Sequence, residues 1–229
     1  MKQAAAEHFD DDGGVGETVY RRIQADILFG RLAPGQKLKL ERMKEAYGAS
    51  ISTLRELLSR LASEGLVLAE GLRGFEVTPI SPADFREIAS LRLLLEGHAL
   101  RLSFEAGDLE WEGRLVSAHH KLATLERRMT SGDRAQPELW KHYDREFHHA
   151  LISACDSTAL LETHASIYDK YLRYQMVAVV FRGEIAAREH RILLECALGR
   201  DCEKAQNILS QHVEGCVADT LAAGKIGRQ

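Results

Sequence analysis

Ser50-Ile51-Ser52-Thr53-Leu54-Arg55-Glu56-Leu57-Leu58-Ser59-Arg60-Leu61-Ala62-Ser63-Glu64-Gly65 is the stretch that decides how the N-terminal part of this chain folds. Leu54, Leu57, Leu58 and Leu61 recur at three- and four-residue spacing and so share one face of a helix. Ser50 or Ser52 can cap its start by accepting an amide hydrogen bond, and Gly65 closes its far end. Upstream, Leu40, Met43 and Ala46 predict a short helix that stops near Gly48, after a turn at Pro34-Gly35. Before that turn, Val19, Ile23, Ile27 and Leu28 predict an amphipathic helix from Glu17 to Phe29, ended by Gly30. Downstream, Leu66–Ala69 and Phe75–Thr78 are β-prone runs around Glu70-Gly71-Leu72-Arg73-Gly74, which suits a hairpin. Three helices followed by a hairpin predict a winged helix-turn-helix over residues 17–80. Residues 1–16 are polar and acidic, with paired glycines, and read as a disordered lead-in.

Ser81-Pro82-Ala83-Asp84 joins a cap, a proline at the first helical position and an acid in the first turn, so a new helix starts there. From that point to Gly224 only helical periodicity is visible. Breaks near Gly107, Ser131–Pro137, Asp156-Ser157, Arg182-Gly183 and Gly199–Asp201 predict about six helices. The expected fold class is therefore mainly α: a winged helix-turn-helix, then an antiparallel all-helical bundle over residues 81–224. The four cysteines form no CxxC pair and read as buried free thiols. No apolar run approaches the roughly 20 residues that span a membrane, and no signal peptide is visible, so a cytoplasmic location is expected.

Net charge is −4, against a protein that coats nucleic acid indiscriminately. Its distribution is uneven: Glu17–Ile80 holds ten Lys/Arg against eight acids, +2, which leaves −6 for the remainder. A third helix of this kind can enter a DNA major groove about 12 Å wide. Arg55 can grip guanine bidentately, Ser52 and Thr53 suit phosphate oxygens, and Arg73-Gly74 at the hairpin tip can reach the minor groove or backbone. Lys39 and Arg42 complete the candidate DNA contacts. The alternative is that Arg55 only pairs with Glu56 or Glu64 on a solvated helix.

In the second domain Asp144 and His148 lie four apart and leave the same face of one helix. His190 and His212 sit inside apolar stripes of two later helices. One carboxylate with three imidazoles can hold a divalent transition metal, zinc foremost, with nickel and manganese also suitable. His142 and His149 compete for the same helix pair, and a buried histidine can be satisfied by a carbonyl instead.

Pro34-Gly35-Gln36-Lys37-Leu38, Ser50–Glu56, Leu61-Ala62-Ser63-Glu64-Gly65-Leu66-Val67 and Arg73-Gly74-Phe75-Glu76-Val77 together resemble the GntR family of regulators. That resemblance implies a dimeric winged-helix regulator acting on a short palindromic operator. Ile51 stands where many relatives carry arginine, so readout there is weaker or apolar. Leu91–Glu96, Asp144–Leu151, Glu189-His190 and His212 resemble the FadR-like C-terminal domain of the family, called FCD. The resemblance implies metal ligands at Asp144, His148, His190 and His212, and an organic acid whose carboxylate binds beside the metal. Arg92 and Arg173 are the candidates for a second grip on that acid, and a salt bridge from Arg92 to Glu96 is the competing role. A repressor without enzymatic activity is expected. The rivals are a metal-dependent hydrolase or a metal sensor using the same Asp/His site, and an architectural DNA binder with no ligand.

Overall fold

The computed structural model describes residues 14–71 and 74–227. Two compact units result: one takes the chain through Ile27 together with Arg31–Thr78, the other Leu28–Gly30 with Pro79 onward.

The first unit is a winged helix built from α1 (Val15–Leu28), β1 (Lys37–Leu38), α2 (Leu40–Tyr47), α3 (Ile51–Ser63), β2 (Val67–Ala69) and β3 (Phe75–Val77). Ser50, not Ser52, caps α3 by accepting the Thr53 amide at 3.1 Å. The leucine face turns inward: Leu54, Leu58 and Leu61 are fully buried, as are Ile23 of α1 and Val77 of the sheet, with Val67 almost so. Tyr20 ties the outside of α1 to α3, its hydroxyl donating to Glu64 at 2.6 Å while the Arg60 guanidinium lies 3.7 Å over its ring. Helix α1 starts two residues earlier than the sequence predicts, because the Gly14 carbonyl accepts the Glu17 amide and Glu17 sits favourably in the first turn. Residues 1–13, the rest of the expected lead-in, lie outside the described residues.

The sheet is antiparallel in the order β1-β3-β2, with Lys37 opposite Glu76 and Val67 opposite Val77. The sequence predicts only the β2–β3 hairpin. Strand β1 is too short to show an alternating pattern, and it forms because Gly35 and Gln36 exchange backbone hydrogen bonds with Val77 at 2.9 Å each. The hairpin closes through the Glu70 amide to the Gly74 carbonyl at 2.9 Å, with Gly74 at φ 96°, a value only glycine adopts freely. Leu72 and Arg73 lie outside the described residues, and with them the Arg73 contact expected from the sequence.

The second unit is all helical: α4 (Pro82–Ala106), α5 (Leu109–Thr130), α6 (Pro137–Ile152), α7 (Thr158–Ala178), α8 (Glu184–Gly199) and α9 (Cys202–Ala222). Its starts are written in short polar side chains: Ser81, Asp108, Ser157 and Asp201 each accept an amide two or three residues into the helix that follows. Trp111 is wholly buried and donates its indole N–H to the Ala150 carbonyl at 2.8 Å, fastening α5 to α6. Phe85 stacks on Tyr174 at 4.4 Å, joining α4 to α7. No described helix is long and apolar enough to cross a membrane.

Gly107 terminates α4 directly over Trp111. A Cβ at this position would press onto the indole and onto the Ser103 carbonyl, neither of which can yield cheaply. Gly107→Ala is therefore expected to cost about 1–3 kcal/mol of stability, as overpacking does, measured by urea denaturation. An unchanged midpoint would show that the α4–α5 corner is looser than this packing implies.

Candidate functional site

Helix α6 supplies Asp144 and His148 one turn apart, α8 supplies His190, and α9 supplies His212. All four are buried, and their donor atoms lie within 4.8 Å of one another. His148 and His190 meet edge to face with centroids 5.6 Å apart, and His190 and His212 lie tilted to each other at 4.6 Å. Asp144 Oδ1 stands 3.4 Å from His190 Nε2.

A second ring of side chains orients the first. His148 Nδ1 is 2.5 Å from Glu96 of α4, His190 Nδ1 is 2.7 Å from Glu126 of α5, and His212 Nδ1 is 2.8 Å from Glu189 of α8. A carboxylate partner makes each Nδ1 the N–H donor, which leaves Nε2 as a lone pair directed inward. His148 Nε2, His190 Nε2 and Asp144 Oδ1 are buried and have no hydrogen-bond partner. Buried polar atoms are nearly always paired, and three acceptors turned toward one another repel. A cation held between them would satisfy all three at once. One carboxylate oxygen and imidazole nitrogens, with no thiolate, form a donor set suited to zinc, nickel or manganese. The residues fit the metal.

Further contacts hold the carboxylates. Glu96 also accepts from Arg92 Nε at 2.8 Å and lies 3.0 Å from His164 Nε2, while Glu189 is held by Arg182 at 2.8 Å. Asp144 Oδ2 accepts from the Tyr168 hydroxyl at 2.7 Å and from Lys141 at 3.3 Å. Burial raises the Asp144 carboxyl, but Lys141 and the three histidines outweigh it and keep the group ionised far below the usual carboxylate range. Burial pushes the His212 imidazole down to about 3 against the opposing pull of Glu189, and lowers His148 as well. In His190 the same burial is overcome by Glu126, which raises it.

The structure separates the remaining sequence candidates. His142 and His149, rivals for the α6 position, are exposed. Arg92 is engaged in the competing role, paired with Glu96 and lying 4.4 Å and 4.6 Å over the rings of Tyr168 and Tyr171, so it supports His148 through Glu96. Its Nη2 remains buried without a hydrogen-bond partner. Arg173 does not join the cluster. It leaves a different face of α7 from Tyr168, and burial lowers its pKa against the opposing influence of Tyr174 and of Asp84 at the start of α4. The sequence reading missed Glu126 and Lys141. Glu126 was detectable as a lone acid inside the apolar stripe Leu122, Leu125, Met129 of α5.

In the winged unit, Lys39, Arg42, Ser52 and Arg55 are exposed, Thr53 and Gly74 partly so. Glu64, a partner weighed for Arg55, is taken by Tyr20 and Arg60. Among the described residues Arg55, Lys39 and Arg42 make no ion pair, and the N-terminal end of α3 offers Arg55 beside the hydroxyls of Ser50, Ser52 and Thr53.

Residues 15–77 match the family described as bacterial regulatory proteins, gntR family, and residues 87–215 match the FCD domain, a domain type that often binds metal. The chain is 38% identical to the HTH-type transcriptional regulator BphR of Paraburkholderia xenovorans over 88% of its own length and 83% of that protein's. It is 27% identical to the HTH-type transcriptional repressor GlaR of Escherichia coli, over 85% of this chain and 90% of the other. Among solved structures, E. coli McbR/YncC has the same fold, with a TM-score of 0.78 over 92% of this chain and 98% of that one at 21% identity.

The depressed imidazoles set a sign for the pH dependence of metal-free protein. The unfolded chain protonates His212 near pH 6.5, whereas the folded one excludes that proton down to about 3. Stability therefore falls as pH drops through that window, by about 1.4 kcal/mol per pH unit for one such proton. His148 acts in the same direction. His190, being raised, acts in the opposite one, its contribution present below pH 6.5 and lost as pH rises through its folded value. In chelator-treated protein, urea denaturation between pH 7 and pH 5 is expected to show a flatter loss for His212→Gln than for the parent. Equal slopes would mean that His212 is not held neutral.

Proposed function

The chain belongs to the GntR family of bacterial regulators and carries an FCD domain behind its winged helix, and from that premise we propose that it is a repressor relieved by a small organic acid. Members of the family bind operator DNA and are regulators rather than enzymes, and the FCD domain is the effector-binding part. The reading made here is that Asp144, His148, His190 and His212 hold a divalent cation, zinc foremost, and that the acid binds beside it. What supports it is one observation: three imidazoles whose Nδ1 atoms are each committed to a carboxylate, with Nε2 atoms and Asp144 Oδ1 buried around a shared point.

When bound, the metal supplies a Lewis-acidic centre with open positions for a carboxylate. The chain does the rest. Glu96, Glu126 and Glu189 fix the imidazole tautomers and ring planes. The unpartnered Nη2 of Arg92 offers a second donor to the acid, which charge-assisted hydrogen bonding makes strong in a dry site. In the winged unit, Arg55 reads a base edge while Ser52, Thr53, Lys39 and Arg42 grip phosphates, and Gly74 lets the hairpin approach the backbone. The protein acts in the cytoplasm as a homodimer whose two recognition helices meet successive half-sites of a palindrome. The acid releases DNA because it binds one of two arrangements more tightly, a coupling of about 1–3 kcal/mol. The likeness to GlaR, a repressor by name, favours repression as the direction.

Two variants test the two halves separately. Arg55→Ala should abolish operator selectivity in a mobility-shift assay, a loss of about 1–3 kcal/mol per base contact, with metal content by native mass spectrometry unchanged. His148→Ala should lose metal and any response to organic acids yet still bind operator. A His148→Ala protein that keeps its metal would overturn the assignment of the centre.

A further inference from the structure

Lys141 is a cation of the site with few partners. It is buried on α6, a turn before Asp144, and an ammonium carries three N–H donors. Among the described residues it meets only the Asp144 carboxylate, at a long 3.3 Å, and the Trp140 ring, 4.1 Å from its nitrogen. A buried ammonium so placed is costly unless a full negative charge offsets it. Asp144 is that charge, and Asp144 is also one of the four groups proposed to hold the metal.

The charges around the centre can be counted. Four carboxylates are linked to it or to its imidazoles: Asp144, Glu96, Glu126 and Glu189. Three cations face them: Arg92 on Glu96, Arg182 on Glu189, and Lys141 on Asp144. Asp219, which also meets Arg182, is half exposed and screened by water. The polypeptide thus brings one net negative charge to the centre with its imidazoles neutral. A divalent ion reverses this to one net positive charge and places a second cation close to Lys141, both drawing on Asp144. In a dry site that repulsion is weakly screened.

We propose that Lys141 makes the centre an anion receptor: it opposes the metal alone, favours the metal together with one carboxylate, and selects acids carrying a single negative charge. This rests on the metal reading given above. A monoanion bridging the ion and the Lys141 ammonium neutralises the count and gives the idle N–H groups their acceptor. A dianion overshoots by one charge. Metal and acid then bind cooperatively, each raising the other's affinity by the same factor.

The test uses the full-length protein, stripped of metal and titrated with zinc in carboxylate-free buffer, then in acetate or in malonate. In the parent protein acetate should raise zinc affinity at least tenfold, and malonate by clearly less. Lys141→Met, which keeps length and apolar packing, should bind zinc more tightly than the parent without acid and lose the acetate enhancement. Lys141→Arg should keep it, and circular dichroism checks that both variants are folded. Weaker zinc binding by Lys141→Met in acid-free buffer, an undiminished acetate effect in that variant, or malonate matching acetate would each overturn the role of Lys141. If the parent holds no more zinc than His148→Ala, the metal reading itself falls and this inference with it, an outcome read on zinc alone and so distinct from the others.

Discussion

The imidazole–carboxylate pair organises the helical unit. Three times over, a histidine on one helix gives its Nδ1 proton to a glutamate on another: His148 on α6 to Glu96 on α4, His190 on α8 to Glu126 on α5. The third, His212 on α9 to Glu189 on α8, closes the set. These are not surface ion pairs of marginal worth. They are almost wholly buried, and breaking one leaves an uncompensated charge or an orphaned N–H in a dry interior. The helices must therefore sit where these pairs can form, and the position of the inward Nε2 atoms follows from that.

The arrangement carries a cost as well. A core filled by leucine and phenylalanine would avoid the repulsion among inward-facing acceptors, and the rest of the bundle, around Trp111, Phe85 and Phe147, is built that way. The polar centre is placed within this apolar shell, which lowers the local dielectric and strengthens every charge inside it. Tyr168 is the seam between the two regions: its ring lies against the Arg92 guanidinium and its hydroxyl donates to Asp144. An apolar surround and a satisfied periphery with an unsatisfied middle are what a binding centre requires, whereas a structural core would pair its polar atoms or omit them.

How much of this the sequence discloses depends on the range of the interaction that decides each feature. Features set by neighbours in the chain were legible: the leucine spacing of α3, the caps at Ser81 and the glycine stops at Gly48 and Gly65, and the helical pairing of Asp144 with His148. Features set by distant partners were not. Strand β1 owes its existence to Val77, some forty residues away, and carries no pattern of its own. Glu126 was visible as a lone acid in the apolar stripe of α5, but nothing near it in the chain announces His190 as its partner. Arg92 is a case of the first kind: its salt bridge to Glu96, four residues on, was legible as an alternative and forms, while its Nη2 stays without a partner.

The two units answer opposite electrostatic demands, and the uneven charge along the chain expresses this. Among the described residues the winged unit keeps Arg55, Lys39 and Arg42 exposed and without an ion pair, while Arg60 is held by Glu17 and Lys37 by Glu70 and Glu76. A free exposed cation contributes little to stability, so leaving those three unpaired costs the fold almost nothing and keeps them available for phosphate or base edges. In the helical unit the reverse holds. There the unpaired groups are buried acceptors, and leaving them unsatisfied is expensive. Surface sites of the first kind survive substitution with the fold intact, whereas a buried centre of the second kind couples ligand occupancy to the stability of the whole bundle. If the ion and acid bind there as proposed, that coupling is the physical basis on which they would change what the protein does elsewhere.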